Sequence, residues 1–335
     1  MEKKYYIPTL DGWRALAILG VIACHAGTAA FINAPNIHSF FSLGSYGVQI
    51  FFSISGFLIT KRLLEEESIE NKISLKNFYI RRFFRILPAA WFFLIVIYIL
   101  QLTGILFVDV KSWVASIFFY KNYIQDNTWY LSHFWSLAIE EQFYLILPLV
   151  IILTPSINRK WVTFFLFFII SVFFDRLHIS KHFAGLVAGS FLAILFTDKK
   201  ILNAIIKNYN LKLWFLLVLL MILGIANKIH MSNFCISWVI TLVVIGTVIN
   251  PDNFIGRILE LKILKTIGKY SFSLYLWQQL FCISDFPKLD LGPVQKMPAN
   301  ILLTFLMALI SYHLIERPFI KLSHKISPPV NPGKN

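Results

Sequence analysis

The chain has 335 residues, 57% of them hydrophobic and 14% charged, with a formal net charge of +14. A water-soluble domain carries about 25% charged and about 45–50% apolar residues, so this composition excludes an ordinary soluble protein and makes the bilayer the expected solvent. The positive charge does not point to nucleic acid, because its distribution follows the loops of one side of the expected membrane.

No alternating strand pattern recurs, so the spans are expected to be helices, whose backbone satisfies itself inside the segment. Ten apolar segments are long enough, or nearly so, to cross: near 13–32, 43–61, 86–105, 134–154, 161–175, 183–197, 211–228, 232–250, 268–287 and 299–316. With the N-terminus inside, the cytoplasmic segments hold 23 of the 31 basic residues and the outer segments seven, with Arg14 at the mouth of the first span. Cytoplasmic loops are the Lys/Arg-rich ones, which puts both termini in the cytoplasm. The expected fold class is therefore an all-α polytopic membrane protein of about ten transmembrane helices. Residues 1–320 form the membrane-embedded domain and 321–335 a short cytoplasmic tail. The stretch Trp113–Ile124 is expected to be interfacial or re-entrant, since an eleventh span there would invert everything downstream. A cleaved signal peptide over residues 1–30 fits poorly, because Asp11 and Arg14 intrude on its apolar core. Cys24, Cys235 and Cys282 lie in apolar runs without metal-ligand spacing, so neither a metal site nor a disulfide framework is expected.

The first span, "LDGWRALAILGVIACHAG", carries Asp11, Arg14 and His25. Eleven helical residues turn through about 1,100° and rise about 16 Å, so Arg14 and His25 share one helix face. A titratable imidazole inside a membrane helix is a functional candidate; the alternative is a core histidine bonded to a neighbouring helix. On the second span, "QIFFSISGFLIT" offers Ser53, Ser55 and Gly56, small enough for another backbone or an extended ligand to approach closely. The third begins with "FYIRRFFRILP", which clusters Arg81, Arg82 and Arg85 on one face. Planar guanidinium groups suit phosphate, and anionic lipid headgroups are the alternative partner. The fourth, "FWSLAIEEQFYLILP", buries Glu140 and Glu141, which need a polar cavity or a cationic partner. The outer loop and "GKYSFSLYLWQQ" add aromatic rings that suit either an interfacial belt or a sugar face.

Taken in order, "LDGWRALAILGVIACH", "SGFLIT", "RRFFRILP", "FWSLAIEEQFY", "YSFSLYLW" and "IERPF" resemble the motifs of the acyltransferase-3 family of integral membrane acyltransferases, over residues 5 to 320 or so. That resemblance implies a ten-helix domain that transfers an acyl group, acetyl by default, from cytoplasmic acyl-CoA. The acceptor is a hydroxyl of a cell-envelope or exported polysaccharide, and the site is in the inner (cytoplasmic) membrane. His25 corresponds to the family's essential histidine and Arg14 to its arginine partner. Arg82 and Arg85 correspond to the arginine motif that meets the CoA phosphates, and Glu140 to the acidic residue of the fourth span. In this reading His25 is the general base, Glu140 or Asp11 orients and charge-balances it, and Arg14, Ser55 and Glu141 help to bind substrate. A covalent acyl-histidine is the mechanistic alternative. Acetyl-CoA is a co-substrate, no cofactor is permanently bound, and the partners are a carbohydrate acceptor and the lipid bilayer, not nucleic acid. The sequence departs from many relatives in carrying Gln278 where they have His after "YLW", which removes a titratable group there. It also lacks their C-terminal hydrolase-like domain, so the membrane domain is expected to act alone. A glycan or lipid transporter using the same charged path without chemistry is the competing function, although the inverted repeats and clearly interrupted helix pairs of many carriers are not found.

Overall fold

Leu, Ile, Phe and Ala dominate long stretches here, and polar residues gather at their ends, where they cap helices. In the computed structural model, residues 6–30, 40–125, 128–154, 183–283 and 291–329 are described, together with residues 159, 162, 165 and 169. Among these residues there is no strand, and the regular structure is helical. Helix α1 spans Pro8–Ala30 without interruption and α2 spans Gly47–Glu70. Ser74 starts α3 (Leu75–Leu102) by accepting a bond from the Asn77 N–H at 3.4 Å. Asp109 does the same for the short α4 (Val110–Ile117), and α5 covers Phe134–Leu153. Helix α6 (Phe183–Leu195) is followed by α7 (Lys199–Asn208), α8 (Leu211–Ile225) and α9 (Asn233–Ile249), the last three capped by Asp198, Asn210 and Ser232. Helices α10 (Phe254–Leu259), α11 (Lys262–Lys269) and α12 (Ser271–Phe281) lead to α13 (Ala299–Ser311). A π-turn at Tyr312–Glu316 then joins α13 to α14 (Arg317–Ile326). Each side-chain cap satisfies an N–H that the helix leaves open, worth about 1 kcal/mol.

Four helical runs are long and apolar enough to cross a membrane: Phe40–Glu70, Leu75–Leu102, Phe134–Leu153 and Ala299–Ile326. Taking α7 and α8 as one span, bent by 83°, gives a fifth. The segments expected near 183–197 and 232–250 form shorter helices of 13 and 17 residues. The segment expected at 268–287 is divided between α11 and α12 at Tyr270, and the one at 161–175 falls largely outside the described residues. Helix α4, within the stretch read as interfacial, has eight residues and so a length of about 12 Å, far short of a hydrocarbon core about 30 Å thick.

The chain divides into two compact units. The first comprises Met1–Leu19, Ser45–Glu65 and Ile139–Lys269, and the second Gly20–Gly44, Glu66–Ala138 and Tyr270–Asn335. In the first, Leu10, Trp13, Ile54, Phe57, Ile240 and Val244 share one core. Helices α2 and α6 meet at small residues: a Cβ on Gly56 would lie 2.0 Å from the Leu186 carbonyl oxygen, so any side chain there forces the helices apart. Hydroxyls bridge the helices, with Ser53 Oγ and Thr241 Oγ1 2.8 Å apart and Ser190 Oγ donating to the Gly56 carbonyl at 3.2 Å.

In the second unit, the rings of Phe93 and Trp277 meet edge to face at 5.4 Å, and Phe84 stacks on Phe319 at 6.0 Å. Glu66, only 4% exposed, accepts from Arg81 Nη2 at 2.9 Å and from the Ser74 N–H at 2.8 Å. Arg81 Nη1 also donates to Ser327 Oγ, which donates to the Asn77 carbonyl, so α3 is tied to the end of α14.

Candidate active site

The second unit builds its polar centre around His25. The α1 sequence around it is small and apolar, with Cys24 and Ala26 buried on either side. The imidazole Nδ1 lies 2.5 Å from Gln278 Oε1 of α12. Gln278 is fully buried and Gln279 is 1% exposed, a costly placement for two amides unless their polar atoms are satisfied. They are: Gln278 Nε2 donates to Gln279 Oε1 at 3.1 Å and to the Tyr275 carbonyl at 3.3 Å. Gln279 Nε2 in turn donates to the Trp129 carbonyl at 2.7 Å and to Ser132 Oγ at 2.8 Å. Trp129 closes the loop, its indole N–H donating to the Gln279 carbonyl at 2.9 Å and its ring meeting the His25 ring edge-on at 5.1 Å. The imidazole is thus fixed both by a hydrogen bond and by an aromatic wall.

Next to this centre His133 is 3% exposed, with its ring against Phe93 at 5.1 Å, Phe134 at 4.9 Å and Tyr275 at 5.6 Å. Neither of its ring nitrogens has a hydrogen-bond partner among the described residues. Tyr275 OH is 2.6 Å from Ser136 Oγ. Glu316, in the π-turn, is buried and accepts from Ser273 Oγ of α12 at 2.9 Å. The three arginines of α3 separate in role. Arg81 is committed to Glu66, Arg82 is half-buried, and Arg85 makes no hydrogen bond or ion pair among the described residues.

The remaining expected residues belong to the first unit. Arg14 Nη1 donates to Asp11 Oδ1 at 3.0 Å, an ion pair one turn apart at the start of α1. Close packing holds that turn: a Cβ on Gly268 would fall 1.9 Å from the Asp11 carbonyl oxygen. Glu140 accepts from Tyr144 OH at 3.2 Å, and Glu141 is half-buried beside it. Ser55 is half-buried on α2, while its neighbour Ser53 is buried and spends its hydroxyl on the Gln49 carbonyl and Thr241. Sequence reasoning left the partner of His25 between Glu140 and Asp11; the place at Nδ1 is held by Gln278, a residue it noted only as a departure. Two adjacent amides in an apolar helix were the available signal for both glutamines.

In the outer loop of the sequence reading, Asp109 binds Thr128 Oγ1, the Ser112 N–H and Ser112 Oγ, and Lys121 donates to Ser112 Oγ at 2.6 Å. Burial pushes the Asp109 carboxyl up, but these bonds and the Lys121 ammonium outweigh it and hold it down to about 2. No group of three or more His, Cys, Asp or Glu with metal-site geometry occurs among the described residues.

Comparison with known proteins adds an independent line. Residues 7–316 match the family described as an acyltransferase domain. The O-acetyltransferase OatA of Staphylococcus aureus, in strains NCTC 8325 / PS 47, COL and MRSA252, is 33% identical over 97% of this chain. The chain spans 59% of the length of those relatives. No solved structure matches it.

Proposed function

Since the chain belongs to the acyltransferase-3 family, we propose that it is a multi-pass enzyme of the cytoplasmic membrane. In this reading it moves an acetyl group from acetyl-CoA to a hydroxyl of a cell-envelope polysaccharide, with His25 as general base. The observation that carries the reading is the held imidazole: His25 is fixed at Nδ1 by a buried amide and walled by Trp129. A core histidine also bonds to a neighbouring helix; what favours a base is that the amide and the indole wall together hold the ring in one orientation toward a substrate.

The step balances as follows in this reading. His25 takes the proton of the acceptor hydroxyl as its oxygen attacks the thioester carbonyl. The tetrahedral oxyanion collapses, the C–S bond breaks, and the proton passes from the imidazolium to the leaving thiolate, giving an ester and free CoA. An imidazole suits both transfers because its ordinary pKa lies near ambient pH. Arg85, with Arg82, holds the pyrophosphate of the donor through planar, bidentate hydrogen bonds. Arg14, on the same helix as His25, binds the donor or offsets the oxyanion, and Ser55, Glu140 and Glu141 belong to the substrate path. The topology that goes with this function has about ten spans and both termini in the cytoplasm. It brings acetyl-CoA to the arginines from inside and the glycan from the opposite face.

Membranes containing the protein, supplied with acetyl-CoA and an acceptor glycan, are expected to release CoA thiol and form an O-acetyl ester, and the His25→Ala variant to do neither. A glycan that crosses the membrane with no thiol released would replace this reading by the transporter.

A further inference from the structure

The hydrogen bonds that end on His25 have a direction. The Trp129 and Tyr275 carbonyl oxygens can only accept, so the side-chain atoms facing them, on Gln279 and Gln278, must be amide nitrogens. With its nitrogen turned to Trp129, Gln279 presents its oxygen to Gln278, and the Gln278 nitrogen donates to it. The Gln278 oxygen is then left facing His25 Nδ1, and an amide oxygen has no proton to give. The hydrogen in that contact must sit on Nδ1. Two backbone carbonyls, which no flip can reverse, thus set the polarity of a chain running from Trp129 through two buried glutamines to the imidazole.

We infer that Gln278 and Gln279 are positioning residues that hold neutral His25 as its Nδ1–H tautomer and so make Nε2 the basic nitrogen. Free imidazole exchanges between tautomers, and a base that presents N–H to the acceptor hydroxyl cannot take its proton. The partner here is an amide, not a carboxylate. It orients the ring without adding negative charge, so it favours imidazolium over imidazole less than a carboxylate in the same place would. Gln278 touches no substrate in this scheme; it acts through His25. The catalytic consequence rests on His25 being the base, whereas the tautomer itself does not.

The test is nitrogen-15 NMR of the full chain in liposomes, with the histidine rings labelled and the His25 signal assigned by its loss in His25→Gln. At a pH where the ring is neutral, the wild type is expected to carry its proton on Nδ1. Gln278→Leu shifts the population towards Nε2–H and lowers turnover about 10²-fold with little change in KM. If Gln278→Leu does not fold, the near-isosteric Gln278→Met, which keeps the volume and removes the amide, supplies the same tautomer readout. A wild-type proton on Nε2, or an unchanged tautomer in Gln278→Leu or Gln278→Met, overturns the inference. Normal transfer by His25→Ala defeats the base assignment instead and leaves the tautomer result standing, so the two failures are distinct.

Discussion

The core of the first unit and the surroundings of His25 in the second satisfy their buried polar side chains differently. In the first, Ser53, Ser237, Thr241 and Thr247 return their hydroxyls to helix carbonyls three or four residues back, and some also bridge to a facing helix. In the second, long polar side chains serve one another: Gln279 serves Gln278, which serves His25, and Arg81 serves Glu66. Lipid tails are as apolar as leucine, so neither arrangement is driven by the hydrophobic effect that operates in water. Where a locally satisfied hydroxyl also reaches a facing helix, as Ser53 does to Thr241, the interhelical bond acts as glue worth about 0.6 kcal/mol. A side-chain relay carries direction, and it ends on a group that can exchange a proton.

Substitution should break this contrast in graded fashion. The largest loss falls on His25: His25→Ala should lower acetyl transfer by about 10²–10⁴-fold with protein level and membrane insertion unchanged, as measured by thiol release. The α3 arginines come next and should divide. Arg81→Leu strands the buried Glu66 carboxylate and should cost roughly 3 kcal/mol, seen as a lower thermal midpoint in detergent. Arg85→Gln should leave that midpoint in place and raise the KM for acetyl-CoA about tenfold, the loss of one charge-assisted contact. In the first unit, Gly56→Leu should cost about 2–3 kcal/mol by overpacking α2 against α6, with no shift in the pH dependence of whatever transfer survives.

The smallest effect concerns Asp109. Its carboxyl is held below the ordinary 3.8, so the contribution of its cluster is complete above that pH and is lost as the pH falls towards about 2. Proteolysis of the 105–133 loop should therefore begin to rise below about pH 4, and Asp109→Asn should remove that acid dependence. An identical acid response in the variant would show that the cluster does not control the loop.

Much of this was legible in the sequence, and the exceptions have physical causes. Composition alone marked a membrane protein, and the motifs marked the family, because both are local and repeated signals. His25 stood out because an imidazole is rare in an apolar run. Its partner did not, since Gln278 lies 253 residues away and a neutral amide carries no charge signal. Charge complementarity favoured Glu140 or Asp11 for that place, yet Asp11 pairs with Arg14 one turn along its own helix. The arginine cluster was readable as a cluster, but not the commitment of Arg81 to Glu66. That pairing depends on the turn between α2 and α3, where Ser74 both caps α3 and donates its N–H to the same carboxylate. The break at Tyr270, after Gly268 and Lys269, left no mark in the apolar pattern that follows it.

The most direct measurement of the central claim is the O-acetyl ester content of surface and secreted glycans in cells lacking the gene, complemented with either the intact protein or His25→Ala at matched membrane levels. The account predicts that the ester returns with the intact protein and stays absent with His25→Ala. Equal restoration by both would contradict it and reduce His25 to a packing residue.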